Sequence, residues 1–176
     1  NGGESGYTYD TVAKTVTVSV VDNGNGTLTA TPTYDNGGTA AQFTNTYKAS
    51  GELTLNATKK LEGSTLEAGQ FSFTLTGDGV SQTKTNNAGG VVEFDTISYT
   101  ENDIKNSPII YTVKEVLETK DGYTYDESVY TVKVTLTDNG DGTITATPSY
   151  EKNGEPATGL AFTNTYTANG SVQLKA

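Results

Sequence analysis

The chain has 176 residues, a formal net charge of −10 and a sequence pI near 4.3, and it is long enough for one large domain or one and a half small ones. This acidic balance argues against nucleic acid and anionic membrane surfaces as partners, and no apolar run approaches the length of a membrane span. Cys, His, Met and Trp are all missing, which excludes disulfides, Ser-His or Cys-His nucleophiles and an ordinary zinc site. Thr, Val and Tyr favour strands while Gly and Asn favour turns, so the composition predicts an all-β protein without a metal or cofactor.

Three motifs from the start of the chain occur a second time. Gly6–Asp10 (GYTYD) recurs as Gly122–Asp126, Asp22–Thr27 (DNGNGT) as Asp138–Thr143 (DNGDGT), and Phe43–Tyr47 (FTNTY) as Phe162–Tyr166. The first two motifs are repeated at an offset of 116 residues and the third at 119, so the second copy has gained three residues in the loop at 153–159. Internal repetition of this kind is typical of tandem domains.

The repeats predict three segments. Residues 1–47 are expected to be the C-terminal half of one β-sandwich repeat, and residues 48–166 a complete repeat. Residues 167–176 are expected to be a linker and the start of a further repeat, because Gly170–Ala176 echoes Gly51–Ala57. The chain is therefore interpreted as a fragment of a longer tandem array.

Alternation of apolar and polar residues predicts the strands of the complete repeat. We expect strands at 52–61, 71–76, 91–100, 109–117, 129–137, 143–150 and 160–166, and a short strand at 81–85 within a polar connection at 77–90. Loops are expected at 62–69 (holding at most one helical turn) and 101–108. The DNGDG run before Thr143 predicts a hairpin turn; its acidic residues also suit calcium, but the spacing has no distal bidentate Glu. Short strands with regularly spaced turns predict an immunoglobulin-like β-sandwich.

Three polar residues interrupt the apolar faces of these strands. Lys59 lies on the apolar face of the first strand, Glu115 on that of a middle strand, and Asn164 on that of the last. Any one of them alone is more often a snorkelling side chain or an amide bonded to backbone. Together, one per strand, they predict a reactive cluster. The neighbouring Lys60 points to the opposite face by strand phase.

The cluster suggests a specific chemistry. Burial would lower the pKa of Lys59 and raise that of Glu115. A neutral amine is a nucleophile, and a protonated carboxylic acid can polarise the amide carbonyl of Asn164. Loss of ammonia would then leave a Lys59–Asn164 amide, formed in one turnover with Glu115 as the catalytic group. Asn45 corresponds to Asn164 in the partial repeat, but its partner strands would lie before Asn1, so it is expected to stay unpaired.

Several motifs also carry a resemblance. Ala57–Lys59 (ATK), Gly69–Phe73 (GQFSF), Tyr111–Val116 (YTVKEV), Tyr123–Asp126 (YTYD) and Phe162–Thr165 (FTNT) resemble, in that order, the isopeptide-forming pilin domain of Gram-positive bacteria. The resemblance covers residues 50–166, and residues 1–47 resemble the C-terminal half of that domain. It implies that the Lys, Glu and Asn of the family's bond fall on Lys59, Glu115 and Asn164. It also implies an extracellular location, in the cell wall or pilus of the bacterial surface.

The sequence therefore predicts a structural surface protein, either a pilus subunit or an adhesin stalk, and not an enzyme. Its expected partners are neighbouring repeats or subunits of the same fibre. No sortase signal or polymerising pilin motif is visible, which leaves polymerising pilin and single-chain stalk both open. The alternative is an adhesin module that binds a host protein or glycan through loops 77–90 or 153–159, although these loops are small and polar. A thioester adhesin is excluded by the lack of Cys, and no carboxylate pair is spaced as in a hydrolase.

Overall fold

The computed structural model describes residues 3–174 and divides the chain into two compact units, Asn1–Lys48 and Ala49–Ala176. The first unit contains two antiparallel strand pairs. Its short strands β1 (Tyr7–Thr8) and β4 (Thr46–Tyr47) pair with each other, and so do the longer strands β2 (Val16–Asp22) and β3 (Leu28–Tyr34). No helix of the described residues is long and apolar enough to cross a membrane.

In the part of the second unit that the structure describes, residues 49–174, there are twelve strands and one turn of 3-10 helix at Ile104–Asn106. The strands are β5 (Ser50–Leu53), β6 (Asn56–Glu62), β7 (Ser72–Gly77), β8 (Val80–Thr85), β9 (Val91–Glu93), β10 (Ile97–Thr100), β11 (Ile109–Glu115), β12 (Tyr123–Thr124), β13 (Val129–Asp138), β14 (Ile144–Lys152), β15 (Glu155–Ala157) and β16 (Leu160–Tyr166). One sheet has the order β15-β14-β13-β11-β7-β8 and a second the order β12-β16-β6-β9, while β5 and β10 form a separate pair.

The core lies on the inward faces of these sheets. Alternate residues of β6, β11, β13 and β16 are buried and their neighbours are more exposed, as expected when each strand has one face on the core. Phe73, Val113 and Val132 are completely buried. The predicted all-β, sandwich-like architecture is therefore confirmed.

Strand β16 runs parallel to β6, with Phe162 opposite Lys59 and Asn164 opposite Leu61. Every other strand pair in the chain is antiparallel among the residues described. The first long strand of the unit and its last strand therefore lie side by side in the same direction.

Two predicted strands, 52–61 and 91–100, are each divided in the structure. The first becomes β5 and β6, the second β9 and β10. β6 pairs with β9 in one sheet, and β5 pairs with β10 in a separate sheet. Each of the two predicted strands therefore contributes one part to each of these sheets. The prediction of continuous strands was wrong because the apolar alternation carries on across a break in the strand ladder.

The structure confirms one short predicted strand and revises two of the predicted loops. The short strand predicted at 81–85 is β8, which forms a hairpin with β7, and part of the predicted 153–159 loop is β15, which forms a hairpin with β14. Each hairpin turns on two residues with positive φ, Asp78–Gly79 and Asn153–Gly154, as tight hairpin turns require. The helical turn lies at Ile104–Asn106, and none is found in the predicted loop 62–69.

The acidic turn between β13 and β14 is a hairpin, as predicted. Asp138 Oδ1 accepts a hydrogen bond from the Gly140 N–H at 2.9 Å, and Asp141 Oδ1 accepts one from the Thr143 N–H at 3.0 Å. These carboxylates hold the turn's own backbone. Within residues 3–174, no three or more acidic, His or Cys side chains are grouped to hold a metal ion.

Apolar side chains of β2 and β3 in the first unit are more exposed than those at the equivalent positions of β13 and β14 in the second. Val18 of β2 is 54% exposed, whereas Val134, at the equivalent position of β13, is fully buried. Leu28 of β3 is 67% exposed and its equivalent Ile144 only 6%. A two-stranded ribbon cannot by itself bury its apolar face.

Candidate functional site

The three polar residues singled out from the sequence meet in the interior of the second unit. Lys59 on β6 and Asn164 on β16 extend from one sheet, and Glu115, the last residue of β11, extends from the facing sheet. The side chains of Lys59 and Glu115 are fully buried, and Asn164 has no exposed surface. The alternating burial of each strand is what turns these residues inward.

Glu115 bridges the other two side chains. Lys59 Nζ donates to Glu115 Oε2 at 2.7 Å, and Asn164 Nδ2 donates to Glu115 Oε1 at 2.6 Å. Each oxygen of a single carboxyl group therefore contacts one of two nitrogens. Such an arrangement can pass a proton from one nitrogen to the other.

The carbonyl of Asn164 has a different partner from the one expected. Its Oδ1 accepts a hydrogen bond from the backbone N–H of Asp126 at 2.7 Å. In this geometry Glu115 faces the amide nitrogen, which would leave in the reaction. The donor that polarises the carbonyl is Asp126, to which sequence reasoning gave no role.

The Asp126 side chain holds the loop that follows β12. Its Oδ2 accepts a hydrogen bond from the Thr163 N–H at 2.9 Å, and its Oδ1 accepts one from the Ser128 N–H at 3.0 Å. Burial raises the pKa of Asp126, but the hydrogen bonds from Ser128 and Thr163 outweigh burial and bring this pKa below its ordinary value. The carboxylate is therefore charged at neutral pH.

Aromatic rings surround the amine. Lys59 Nζ lies 4.6 Å from the centroid of the Phe71 ring and 5.7 Å from that of Phe73. The Phe73 ring in turn packs on Phe162, with centroids 5.1 Å apart. These rings exclude water from the cluster and make a charge within it costly.

This environment shifts both titratable groups of the cluster. Burial lowers the pKa of Lys59, although hydrogen bonding to Glu115 partly opposes the shift. Burial also raises the pKa of Glu115, against the hydrogen bonds from Lys59 and Asn164. Both shifts favour moving the shared proton from the amine to the carboxyl group, which gives a neutral amine beside a neutral acid.

The other candidate residues lie apart from this cluster. Lys60 points outward and pairs with Glu62 at 2.7 Å, with most of its side chain exposed. Asn45 is exposed in the first unit, and its Oδ1 accepts a hydrogen bond from the Asp10 N–H at 3.1 Å. The sequence did carry a signal for Asp126, because Asp10 and Asp126 are the last residues of the same repeated motif, GYTYD.

A family model described as FctA, Spy0128-like isopeptide containing domain, matches residues 2–48 and 55–167. The C-terminal fragment of the pilus adhesin SpaC from Lactobacillus rhamnosus GG is similar at 16% identity and a TM-score of 0.46, over 96% of this chain and 61% of that one. A mutant of the major pilin from Streptococcus pyogenes is similar at 18% identity and a TM-score of 0.38, over 65% of this chain and 50% of that one. No curated protein sequence matches significantly.

Proposed function

Because the chain belongs to the family of Spy0128-like isopeptide-containing domains, we propose that it is a load-bearing segment of a pilus or adhesin stalk, locked by an amide bond between Lys59 and Asn164. Proteins of this family are structural pilins and pilus adhesins of the Gram-positive cell surface and not enzymes. The observation that carries the proposal is the buried Glu115 carboxyl group, which bridges the Lys59 amine and the Asn164 amide nitrogen.

The proposed reaction balances within these three side chains. Lys59 gives a proton to Glu115, and its neutral Nζ attacks Cγ of Asn164. The Nζ–Cγ bond forms and the Cγ–Nδ2 bond breaks. Glu115 delivers a proton to Nδ2, which leaves as ammonia, and takes up the proton that Nζ loses. The products are one amide, one ammonia molecule and a protonated Glu115.

Burial of the cluster supports this route over hydrolysis. Asn164 has no exposed surface, so bulk water does not compete with Lys59 as the nucleophile. The amine is held beside the amide by the two hydrogen bonds of Glu115 and by the pairing of β6 with β16. Such positioning replaces a bimolecular encounter with an intramolecular one.

The bond would stabilise the unit mainly through the unfolded state. It closes a loop of about 100 residues, which by analogy with disulfides is worth ~4–5 kcal/mol. Because β6 and β16 are parallel neighbours, it also joins the strands by which the chain enters and leaves the sandwich. Tension along the fibre would then bypass the strands between Lys59 and Asn164.

We also propose that the chain is part of a tandem array, in which neighbouring repeats or subunits are its partners. Residues 1–47 would be the second half of one repeat and residues 48–166 a complete one. Support comes from matching strand pairs, since Tyr7 pairs with Tyr47 in the first unit as Tyr123 pairs with Tyr166 in the second.

The test of the bond is the intact mass of the purified chain. We expect the mass to fall one ammonia molecule below the value calculated from the sequence, and a proteolytic peptide to join Lys59 to Asn164. Lys60→Arg is the matched control, because it changes the adjacent lysine on the outer face and should keep the bond. Asn164→Ala should show its full calculated mass. A wild-type mass equal to the calculated value would contradict the proposal.

A further inference from the structure

The geometry points to a fourth participant in the linking reaction: we propose that the Asp126 side chain positions its own backbone N–H to hold and polarise the Asn164 carbonyl. This inference rests on the proposed Lys59–Asn164 bond and adds to it a residue outside the Lys, Glu and Asn cluster. Asp126 is a positioning residue, because its carboxylate acts through the backbone and only its N–H touches the reacting amide.

The carboxylate ties the loop after β12 to the reactive strand. Asp126 Oδ2 accepts the N–H of Thr163, the residue just before Asn164, and Oδ1 accepts the N–H of Ser128 on the other side of the loop. Between these two anchors, the Asp126 N–H is directed at Asn164 Oδ1 at 2.7 Å. The side chain therefore sets where the backbone donor lies.

The donor is placed where the reaction needs it. Attack by Lys59 Nζ places negative charge on Asn164 Oδ1, and a fixed N–H at this atom stabilises that charge. Glu115 is occupied on the nitrogen side, where it accepts from Lys59 Nζ and Asn164 Nδ2. Glu115 thus acts on the amide nitrogen of Asn164, and Asp126 acts on its carbonyl oxygen.

The same arrangement recurs in the first unit. The Asp10 N–H donates to Asn45 Oδ1 at 3.1 Å, and Asp10 accepts from the N–H groups of Thr44 at 3.3 Å and Val12 at 2.9 Å. No buried lysine or glutamate is found among the described residues of that unit. We call this set of hydrogen bonds, in which the aspartate holds the asparagine carbonyl through its own N–H, the clamp. The clamp forms in the first unit without the reactive pair, so it is built by the GYTYD and FTNTY segments themselves.

The experiment compares Asp126→Ala with Asp10→Ala, the same change at the clamp that has no reactive pair. Each full-length chain is made by cell-free translation, and the fraction that has lost ammonia is followed over time by intact mass. We expect Asp126→Ala to link about tenfold more slowly than wild type, less than the effect of removing an oxyanion donor outright. Asp10→Ala should link at the wild-type rate.

Two further variants separate positioning from general stability. Tyr166→Ala removes the ring that packs on Tyr123, with centroids 4.8 Å apart, and weakens the same strand junction without touching the Asn164 amide. We expect it to lower the unfolding temperature but to link at close to the wild-type rate. Asp126→Asn keeps one oxygen acceptor and should link at an intermediate rate, and it also decides the question if Asp126→Ala does not fold.

The outcomes are distinct. If Asp126→Ala or Asp126→Asn links as fast as wild type, Asp126 has no positioning role. If Tyr166→Ala slows linking as much as Asp126→Ala for an equal loss of unfolding temperature, the role of Asp126 is only structural and the inference is overturned. A wild-type chain that never loses ammonia would instead remove the proposed function itself.

Discussion

Lys59 on β6 lies directly opposite Phe162 on the parallel strand β16, two residues before Asn164. Side chains two residues apart share a strand face, so this register puts the amine and the amide on the same inner surface of one sheet. Glu115 then reaches them from the facing sheet. The position of the proposed bond thus follows from one parallel strand pair.

The parallel pair predicts a mechanical property. When the wild-type chain is pulled from its two ends in a single-molecule force experiment, the segment between Lys59 and Asn164 should not extend, because the bond would carry the load. In Asn164→Ala the same segment should extend. The added length should be roughly 350–380 Å, the reach of about 105 extended residues. Equal extension of both proteins would contradict a covalent load path.

The second prediction concerns the proton path through Glu115. Glu115→Ala and the nearly isosteric Glu115→Gln should both fold and keep their full calculated mass, because neither can accept and return a proton. Glu115→Gln preserves the volume of the side chain and so separates proton transfer from packing. If either variant links at the wild-type rate, Glu115 is not part of the mechanism.

The Glu115→Gln variant also measures how much the bond stabilises the second unit against unfolding. Unlinked Glu115→Gln should unfold at a temperature roughly 15–30 °C below the linked wild type, given ~4–5 kcal/mol for the closed loop. Scanning calorimetry or circular dichroism measures this difference. A wild-type chain and a Glu115→Gln chain that unfold at the same temperature would show that the bond adds no equilibrium stability.

The rate of formation of the Lys59–Asn164 bond should show a bell-shaped dependence on pH. The reaction needs one proton shared between Lys59 and Glu115, so the rate falls when the pair gains a second proton in acid and when it loses its last proton in base. Burial raises the pKa of Glu115 and lowers that of Lys59. The acid limb should therefore lie above the ordinary pKa of a glutamate and the alkaline limb below that of a lysine. Time courses of ammonia loss across pH measure both limbs, and limbs at the ordinary values would contradict burial as the cause.

Asn45 is the internal reference for this chemistry. It has the clamp from Asp10 but is exposed, and no buried lysine or glutamate lies among the described residues of its unit. We expect the peptide that contains Asn45 to keep its unmodified amide in the same digest that shows the Lys59–Asn164 cross-link. A cross-linked peptide at Asn45 would mean that the repeat boundaries differ from those proposed here.

Much of the candidate site could be predicted from strand periodicity. A period of two is a local property, so Lys59, Glu115 and Asn164 could be assigned to inner faces without knowing which strands are neighbours. Sequence identity between the repeated motifs likewise showed which segments are equivalent, including those that contain the clamp residues Asp10 and Asp126. The two-residue turns Asp78–Gly79 and Asn153–Gly154 were readable as hairpin signals too, although neither hairpin was predicted.

Other features depended on contacts between distant parts of the chain. The division of 52–61 into β5 and β6 occurs because the two halves pair with different strands, which apolar alternation does not reveal. The parallel pairing of β6 with β16 joins residues about 100 positions apart, and no local pattern specifies it. Only the folded loop after β12 brings the Asp126 N–H to the Asn164 carbonyl and leaves Glu115 on the nitrogen. The sequence alone thus determined which side chains face inward, and the tertiary structure decided which atoms meet, because hydrogen-bond partners are chosen by strands and loops that are remote along the chain.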